Sequence, residues 1–110
     1  MSQSRRVAVL GGVRIPFCRQ NTAYADVGNM GMSVRTLGAL VEKFGLQDAE
    51  LGEVAMGAVI KLSSDWNLGR EATLSSGLSP LTPGITLQRA CGTSLDTIVL
   101  IGNKIAAGQI

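Results

Sequence analysis

Hydrophobic residues along this chain form two short apolar runs. Residues 7–13 and 54–60 are apolar on both alternating sets, which predicts two strands that are buried on both faces. Residues 85–90 are a candidate for a third short strand. The polar stretch at residues 17–32 is longer than a usual connection, and it predicts a shaped surface loop.

The segments between these runs carry the signals of helices. Ser33 can cap a first helix, which has apolar residues at spacings of three and four and a stop at Gly45. Asn67 predicts the start of a second helix, which runs through Leu74. Residues 92–107 predict a third helix that is apolar nearly all round in its first half, so we expect it to be covered on more than one side.

The order strand, helix, strand, helix, strand, helix predicts a layered α/β fold with a mostly parallel sheet and right-handed crossovers. The 110 residues are about one small domain long, and 45% of them are hydrophobic against 16% charged, as in globular proteins. No repeat or linker divides the chain. It is therefore expected to form one unit, or part of one.

Charge and cysteine content narrow the classes of function. A net charge of +2 with 4% aromatic residues does not suggest a nucleic-acid partner, and no apolar segment reaches the length of a membrane span. The apolar run after Arg5 and Arg6 is too short for an export signal. Cys18 and Cys91 are 73 positions apart without any CxxC spacing, which favours reduced thiols over a disulfide or a metal site. These features predict a cytoplasmic location.

Cys91 is the candidate nucleophile, because it lies where the third predicted strand ends and the apolar helix begins. Free backbone N–H groups and the helix dipole at such a position favour a thiolate. The competing interpretation is a small buried hydrophobic residue. The sequence contains no histidine, the usual proton acceptor for an activated cysteine. Cys18, beside Arg19 in the polar loop, is expected to be a plain surface thiol.

Four segments in order along the chain resemble the thiolase family. Residues 88–95 resemble the segment around the family's acyl-accepting cysteine, and residues 67–72 its Asn-x-Ala-Arg-x-Ala helix start. Residues 13–17 are similar to the exit of its first strand, and residues 105–108 to the end of its buried helix. Gly69 departs from the pattern, since alanine is usual there.

The resemblance implies the layered α/β/α thiolase fold, with residues 1–110 as part of its N-terminal domain and the loop region and C-terminal domain outside this sequence. It implies that Cys91 takes an acyl group from an acyl-CoA, and that a carbon–carbon bond to acetyl-CoA then forms or breaks. The Cys91 N–H would be one of two oxyanion donors. Coenzyme A thioesters are the implied substrates, with no tightly bound cofactor and no metal.

The resemblance also places the family's catalytic histidine, in a Gly-His-Pro motif, and its second cysteine, in a Cys-x-Gly motif, downstream of this sequence. The 110-residue chain is therefore expected to be inactive by itself. A homodimer or homotetramer is implied for the complete enzyme. Without a covering domain, the apolar residues 98–101 are expected to leave a patch that favours association.

Two alternatives stay open. A ketosynthase-type condensing enzyme shares the fold and the cysteine position but takes its acyl chain from a carrier protein; residues 13–17 and 67–72 favour a thiolase. A non-catalytic lipid-binding or structural relative keeps the fold and often loses the nucleophile. The presence of Cys91 argues against it.

Overall fold

The computed structural model describes residues 4–110 and contains three helices and two strands in that part of the chain. A turn of 3-10 helix at Ala90–Gly92 precedes the last helix. In chain order the elements are α1 (Asn29–Lys43), β1 (Val54–Gly57), α2 (Leu68–Leu74), β2 (Gly84–Leu87) and α3 (Thr93–Ala106).

The two strands pair in parallel. Val54 lies opposite Gly84, and Gly57 lies opposite Leu87, with α2 in the connection between the strands. This confirms the predicted parallel pairing within an α/β fold.

Helices cover the two faces of this sheet. Val54 packs in a core with Val41 of α1 and Ala72 of α2. Gly57 is three positions further along β1, so it faces the other side of the sheet, where a Cβ on it would lie 2.6 Å from Thr93 Cγ2 of α3. The chain therefore has the layered α/β/α arrangement, with its core between α1, α2 and β1.

The predicted strand at residues 7–13 is not formed. This segment has no strand partner among residues 4–110, and Val9 and Leu10 are 82% and 83% exposed. The segment contacts the end of α1 instead of the sheet, because the Lys43 ammonium donates to the Gly12 carbonyl at 2.9 Å. Gly11 adopts a φ of +155°, which interrupts the extended backbone that pairing requires.

Element boundaries also differ from the sequence prediction. α1 begins at Asn29 rather than after Ser33, and the amide of Asn29 donates to the Ile60 carbonyl at 2.8 Å. That bond holds the chain beyond β1 against the start of α1, so the predicted strand 54–60 ends at Gly57. β2 likewise stops at Leu87, before the end of the predicted strand at residues 85–90, and it begins one residue earlier, at Gly84.

Within the described residues, helix α3 is covered on one side and not, as its sequence predicted, on more than one. Its buried residues are Thr93 and Thr97, which lie toward β1, whereas Leu95 and Ile98 are 68% and 59% exposed. The physical reason is the narrow sheet: two strands cover one side of the helix only, and the small side chains permit close contact there. Among the described residues, no helix is long and apolar enough to cross a membrane.

Candidate active site

Cys91 lies between the end of β2 and the start of α3, in the middle of the 3-10 turn Ala90–Gly92. The residue is exposed and its thiol is free. This position matches the predicted junction of strand and helix. Within the described residues Cys91 is exposed, whereas the competing interpretation expects a buried side chain.

The backbone around Cys91 is held in an uncommon conformation. Ala90 has a φ of +40°, in the left-handed region that residues with a side chain rarely adopt. Three hydrogen bonds support it: the Ala90 N–H donates to Gln88 Oε1 at 3.0 Å, the Arg89 N–H to Thr93 Oγ1 at 2.8 Å, and the Thr93 hydroxyl to the Ala90 carbonyl at 2.7 Å. The turn is therefore constrained on both sides of Ala90.

The backbone N–H of Cys91 has no hydrogen-bond acceptor among residues 4–110. The neighbouring Gly92 N–H is used, since it donates to the Arg89 carbonyl at 2.9 Å. Gly92 is also the N-cap of α3, and it offers no side chain to the helix start. An N–H donor beside an exposed thiol is thus left available to an outside oxygen.

Two contacts fix this turn to the rest of the molecule. An ion pair joins Arg89 Nε to Asp96 Oδ2 at 2.7 Å across the first turn of α3, although both partners are open enough to water for its energy to be small. The larger constraint is Gly57, where the missing side chain lets Thr93 approach β1. The position of the Cys91 turn is therefore set by the sheet.

The start of α2 confirms the predicted cap. Asn67 Oδ1 accepts from the Arg70 N–H at 3.1 Å and from the Thr86 hydroxyl at 2.7 Å, and Asn67 Nδ2 donates to the Gly84 carbonyl at 3.1 Å. The Arg70 guanidinium donates to the Thr82 carbonyl at 2.7 Å. The segment that resembles the thiolase helix start thus ties α2 to β2.

Cys18 differs from the plain surface thiol expected from the sequence. It is half-buried, and its sulfur lies 2.9 Å from Thr22 Oγ1. The hydrogen bond with Thr22 is the largest influence and lowers the pKa of the Cys18 thiol. Burial acts in the opposite direction, and the backbone N–H groups of Tyr24 and Ala23 lower the pKa by smaller amounts.

Sequence reasoning found Cys91 but missed the residues that hold its turn. Thr93 carried a usable signal, because threonine and serine at a helix start commonly bond to nearby backbone. The left-handed Ala90 carried none, since alanine rarely adopts that conformation. Gly57 was visible only as part of an apolar run.

Fold and site together define an α/β protein with an exposed cysteine at a strand-to-helix junction. The family model described as "Thiolase, N-terminal domain" matches residues 7–110. The chain belongs to the thiolase family, as its motifs predicted.

Individual relatives agree with the family match. The chain is 32% identical over 108 residues to the 3-ketoacyl-CoA thiolase of Photorhabdus laumondii, which covers 98% of this chain and 25% of that protein. It is 32% identical over 108 residues to the 3-ketoacyl-CoA thiolase of Aliivibrio fischeri, with 98% and 24% covered. The chain thus spans about a quarter of the length of these curated relatives.

A solved structure supports the same fold. The crystal structure of the Bacillus anthracis acetyl-CoA acetyltransferase is similar with a TM-score of 0.75 and 27% sequence identity. The similarity covers 81% of this chain and 23% of that one. It confirms the thiolase-like α/β fold.

Proposed function

We propose that this chain supplies the acyl-accepting cysteine of a thiolase-type acyltransferase, which forms or cleaves a carbon–carbon bond between acyl-CoA and acetyl-CoA. The observation that carries the proposal is the exposed Cys91 at a helix start, next to its own N–H without an acceptor. Coenzyme A thioesters are the substrates, and the proposal requires no tightly bound cofactor and no metal.

In the first step the Cys91 sulfur attacks the carbonyl carbon of the acyl-CoA. The new carbon–sulfur bond forms as the bond to coenzyme A breaks, and the departing thiolate takes up the proton released by Cys91. Negative charge develops on the carbonyl oxygen during this exchange. The Cys91 N–H is a donor that can stabilise it, and a second donor comes from outside these residues.

The second step requires groups that this sequence does not contain. Acetyl-CoA must lose a proton from its methyl carbon before that carbon attacks the acyl group, and the sequence has no histidine for proton transfer. By resemblance, the histidine and the carbanion-generating second cysteine belong to the Gly-His-Pro and Cys-x-Gly motifs. We expect no acetoacetyl-CoA thiolysis by the 110-residue chain, and turnover by the purified, mass-verified chain would contradict this.

The comparisons favour coenzyme A over a carrier protein as the acyl donor. The relatives are named 3-ketoacyl-CoA thiolase and acetyl-CoA acetyltransferase, and both names contain coenzyme A. A ketosynthase-type enzyme would instead take acyl groups from acyl-carrier protein. A non-catalytic relative is disfavoured because Cys91 is both present and exposed.

The first step can be tested on the chain itself by acyl transfer from acetyl-CoA. After incubation, mass spectrometry with peptide mapping should find a hydroxylamine-labile acetyl group on Cys91. Cys91→Ser should abolish this label, whereas the matched Cys18→Ser should retain it. Equal labelling of Cys18 and Cys91, or labelling of neither, would count against the proposal.

The proposal extends to assembly and location. The complete enzyme is a homodimer or homotetramer by resemblance, and the exposed apolar side of α3, with Leu95 and Ile98, supports association. A cytoplasmic location is supported by the two free thiols, Cys18 and Cys91.

A further inference from the structure

The peptide group between Ala90 and Cys91 links a buried side chain to the available donor of the site. This planar group carries the Ala90 carbonyl on one side and the Cys91 N–H on the other, pointing in opposite directions. Both the hydroxyl and the backbone N–H of Thr93 donate to that carbonyl. Whatever fixes the direction of the carbonyl therefore also fixes the direction of the Cys91 N–H.

We infer that Thr93 is a positioning residue, whose hydroxyl holds the Ala90–Cys91 peptide so that the Cys91 N–H faces the oxyanion of the acyl-transfer step. The inference rests on the proposed function. The Thr93 side chain is buried, and its oxygen bridges the two residues that precede Cys91: it accepts from the Arg89 N–H and donates to the Ala90 carbonyl.

The left-handed Ala90 makes this bridge necessary. A φ of +40° is unfavourable for alanine, so the turn tends to relax unless surrounding bonds hold it. Relaxation would rotate the peptide that follows Ala90 and turn the Cys91 N–H away. The sulfur would stay exposed at the same time, so acyl transfer should suffer more than simple alkylation of the thiol.

A valine at position 93 removes the hydroxyl and keeps the shape of the side chain. The chain also offers a matched control in Thr97, which is buried on the same helix and whose hydroxyl donates to the Ser94 carbonyl at 2.6 Å, away from the Cys91 turn. Thr93→Ser restores the hydroxyl and serves as the rescue variant.

Two reactions at Cys91 are compared in each variant: acetylation by acetyl-CoA, which develops an oxyanion, and alkylation by iodoacetamide, which does not. We expect Thr93→Val to slow acetylation about tenfold and to change alkylation less than about twofold. The Cys91 N–H is turned away in this variant but still present, so the rate of acetylation falls less than it would if the donor were deleted. Thr93→Ser and Thr97→Val should both stay close to the unaltered chain.

Hydrogen exchange gives a readout that does not depend on reaction with the thiol. The Arg89 amide donates to the Thr93 hydroxyl, so its exchange should accelerate in Thr93→Val and remain slow in Thr97→Val. If Thr93→Val unfolds, the double variant Thr93→Val/Ala90→Gly replaces it, because glycine removes the strain that the hydroxyl opposes. Glycine also leaves the left-handed conformation freely, so without the Thr93 hydroxyl nothing holds the following peptide in one direction, and acetylation of that folded chain should still fall more than alkylation.

The possible results distinguish the positioning role of Thr93 from the proposed acyltransferase function. Acetylation of Thr93→Val at the unaltered rate, or equal losses in acetylation and alkylation, would overturn the positioning role and leave the proposed function standing. A Thr93→Ser chain as slow as Thr93→Val would do the same. Absence of acetyl transfer to Cys91 in the unaltered chain would overturn the proposed function, and the positioning role with it.

Discussion

The starts of α2 and α3 lie against the same small sheet and are built in opposite ways. At α2, Asn67 satisfies the first turn and bonds to β2, and Gly69 brings the helix backbone against that strand. At α3, Gly92 offers no cap, and the N–H of the preceding Cys91 has no acceptor among the described residues. The first turn of α2 is bonded to protein groups, while the start of α3 leaves a backbone donor without an acceptor among the described residues.

The largest expected effect comes from adding a methyl group at each helix start. A Cβ on Gly69 would lie 2.1 Å from the Ile85 carbonyl oxygen, which is backbone and cannot move easily, so Gly69→Ala should lower the free energy of unfolding by about 2–3 kcal/mol. Gly92→Ala meets nothing within 4 Å and should cost less than about 1 kcal/mol. Urea unfolding of both variants measures the difference. Equal losses would erase the contrast between the two starts.

The cap of α2 should contribute less than this close packing. Asn67→Ala removes the acceptor for the Arg70 N–H and the donor to the Gly84 carbonyl, so we expect a loss of about 1–2 kcal/mol in urea unfolding. Asn67→Asp keeps the acceptor and loses the donor, so its free energy of unfolding should lie between those of the unaltered chain and Asn67→Ala. An Asn67→Ala chain as stable as the original would show that the cap is dispensable.

The two helices also differ in what they expose, because α2 is largely buried whereas α3 presents apolar side chains to solvent. The 110-residue chain should therefore self-associate, and Ile98→Lys should weaken this association in sedimentation velocity. Asn103→Lys adds the same charge at another exposed position of α3 and should have a smaller effect. A monodisperse monomer for the unaltered chain would contradict the expectation.

The smallest effect concerns Cys18, the reference thiol against which Cys91 would naturally be compared. Because Thr22 lowers the pKa of Cys18, its thiolate forms at lower pH than in an ordinary thiol, and alkylation rises there earlier. Thr22→Val removes the largest cause, so the pKa should rise and the alkylation curve should move to higher pH. Thr97→Val is the control, and an unmoved curve in Thr22→Val would exclude the threonine as the cause.

This lowered pKa also determines how the reactivity of Cys91 is measured. If Cys18 is used as the standard, it reacts faster than an ordinary thiol and understates any activation at Cys91. The chain unfolded in urea gives a neutral reference for both sulfurs. Faster alkylation of Cys91 in the folded chain than in the unfolded one is the expected result.

The sequence predicted most of the helices and strands and the position of Cys91 between β2 and α3. Asn67 gave the start of α2, and the junction before residue 92 placed Cys91, because caps and strand-to-helix transitions are local signals. Residues 7–13 were predicted wrongly, since their apolar pattern fits a strand while Gly11 and the bond to Lys43 direct the chain elsewhere. Pairing partners are set by the whole fold, and a local pattern does not contain them.

Helix α3 shows a second limit of periodicity. Its apolar residues were expected to face the interior, yet Thr93 and Thr97 do so. Which side of an almost uniformly apolar helix meets the sheet depends on where small residues allow contact. That information resides partly in Gly57, on a different element and 36 positions before Thr93.

The missing side chain at Gly57 determines which sequence changes would move Cys91. Because the contact between Gly57 and Thr93 sets the position of the Cys91 turn, we expect changes in the exposed residues 61–64 to leave that turn in place. A Cβ at position 57 would lie 2.6 Å from Thr93 Cγ2, so we expect a side chain there to displace the start of α3. The absence of a side chain at position 57 thus keeps the start of α3, and with it Cys91, close to the sheet.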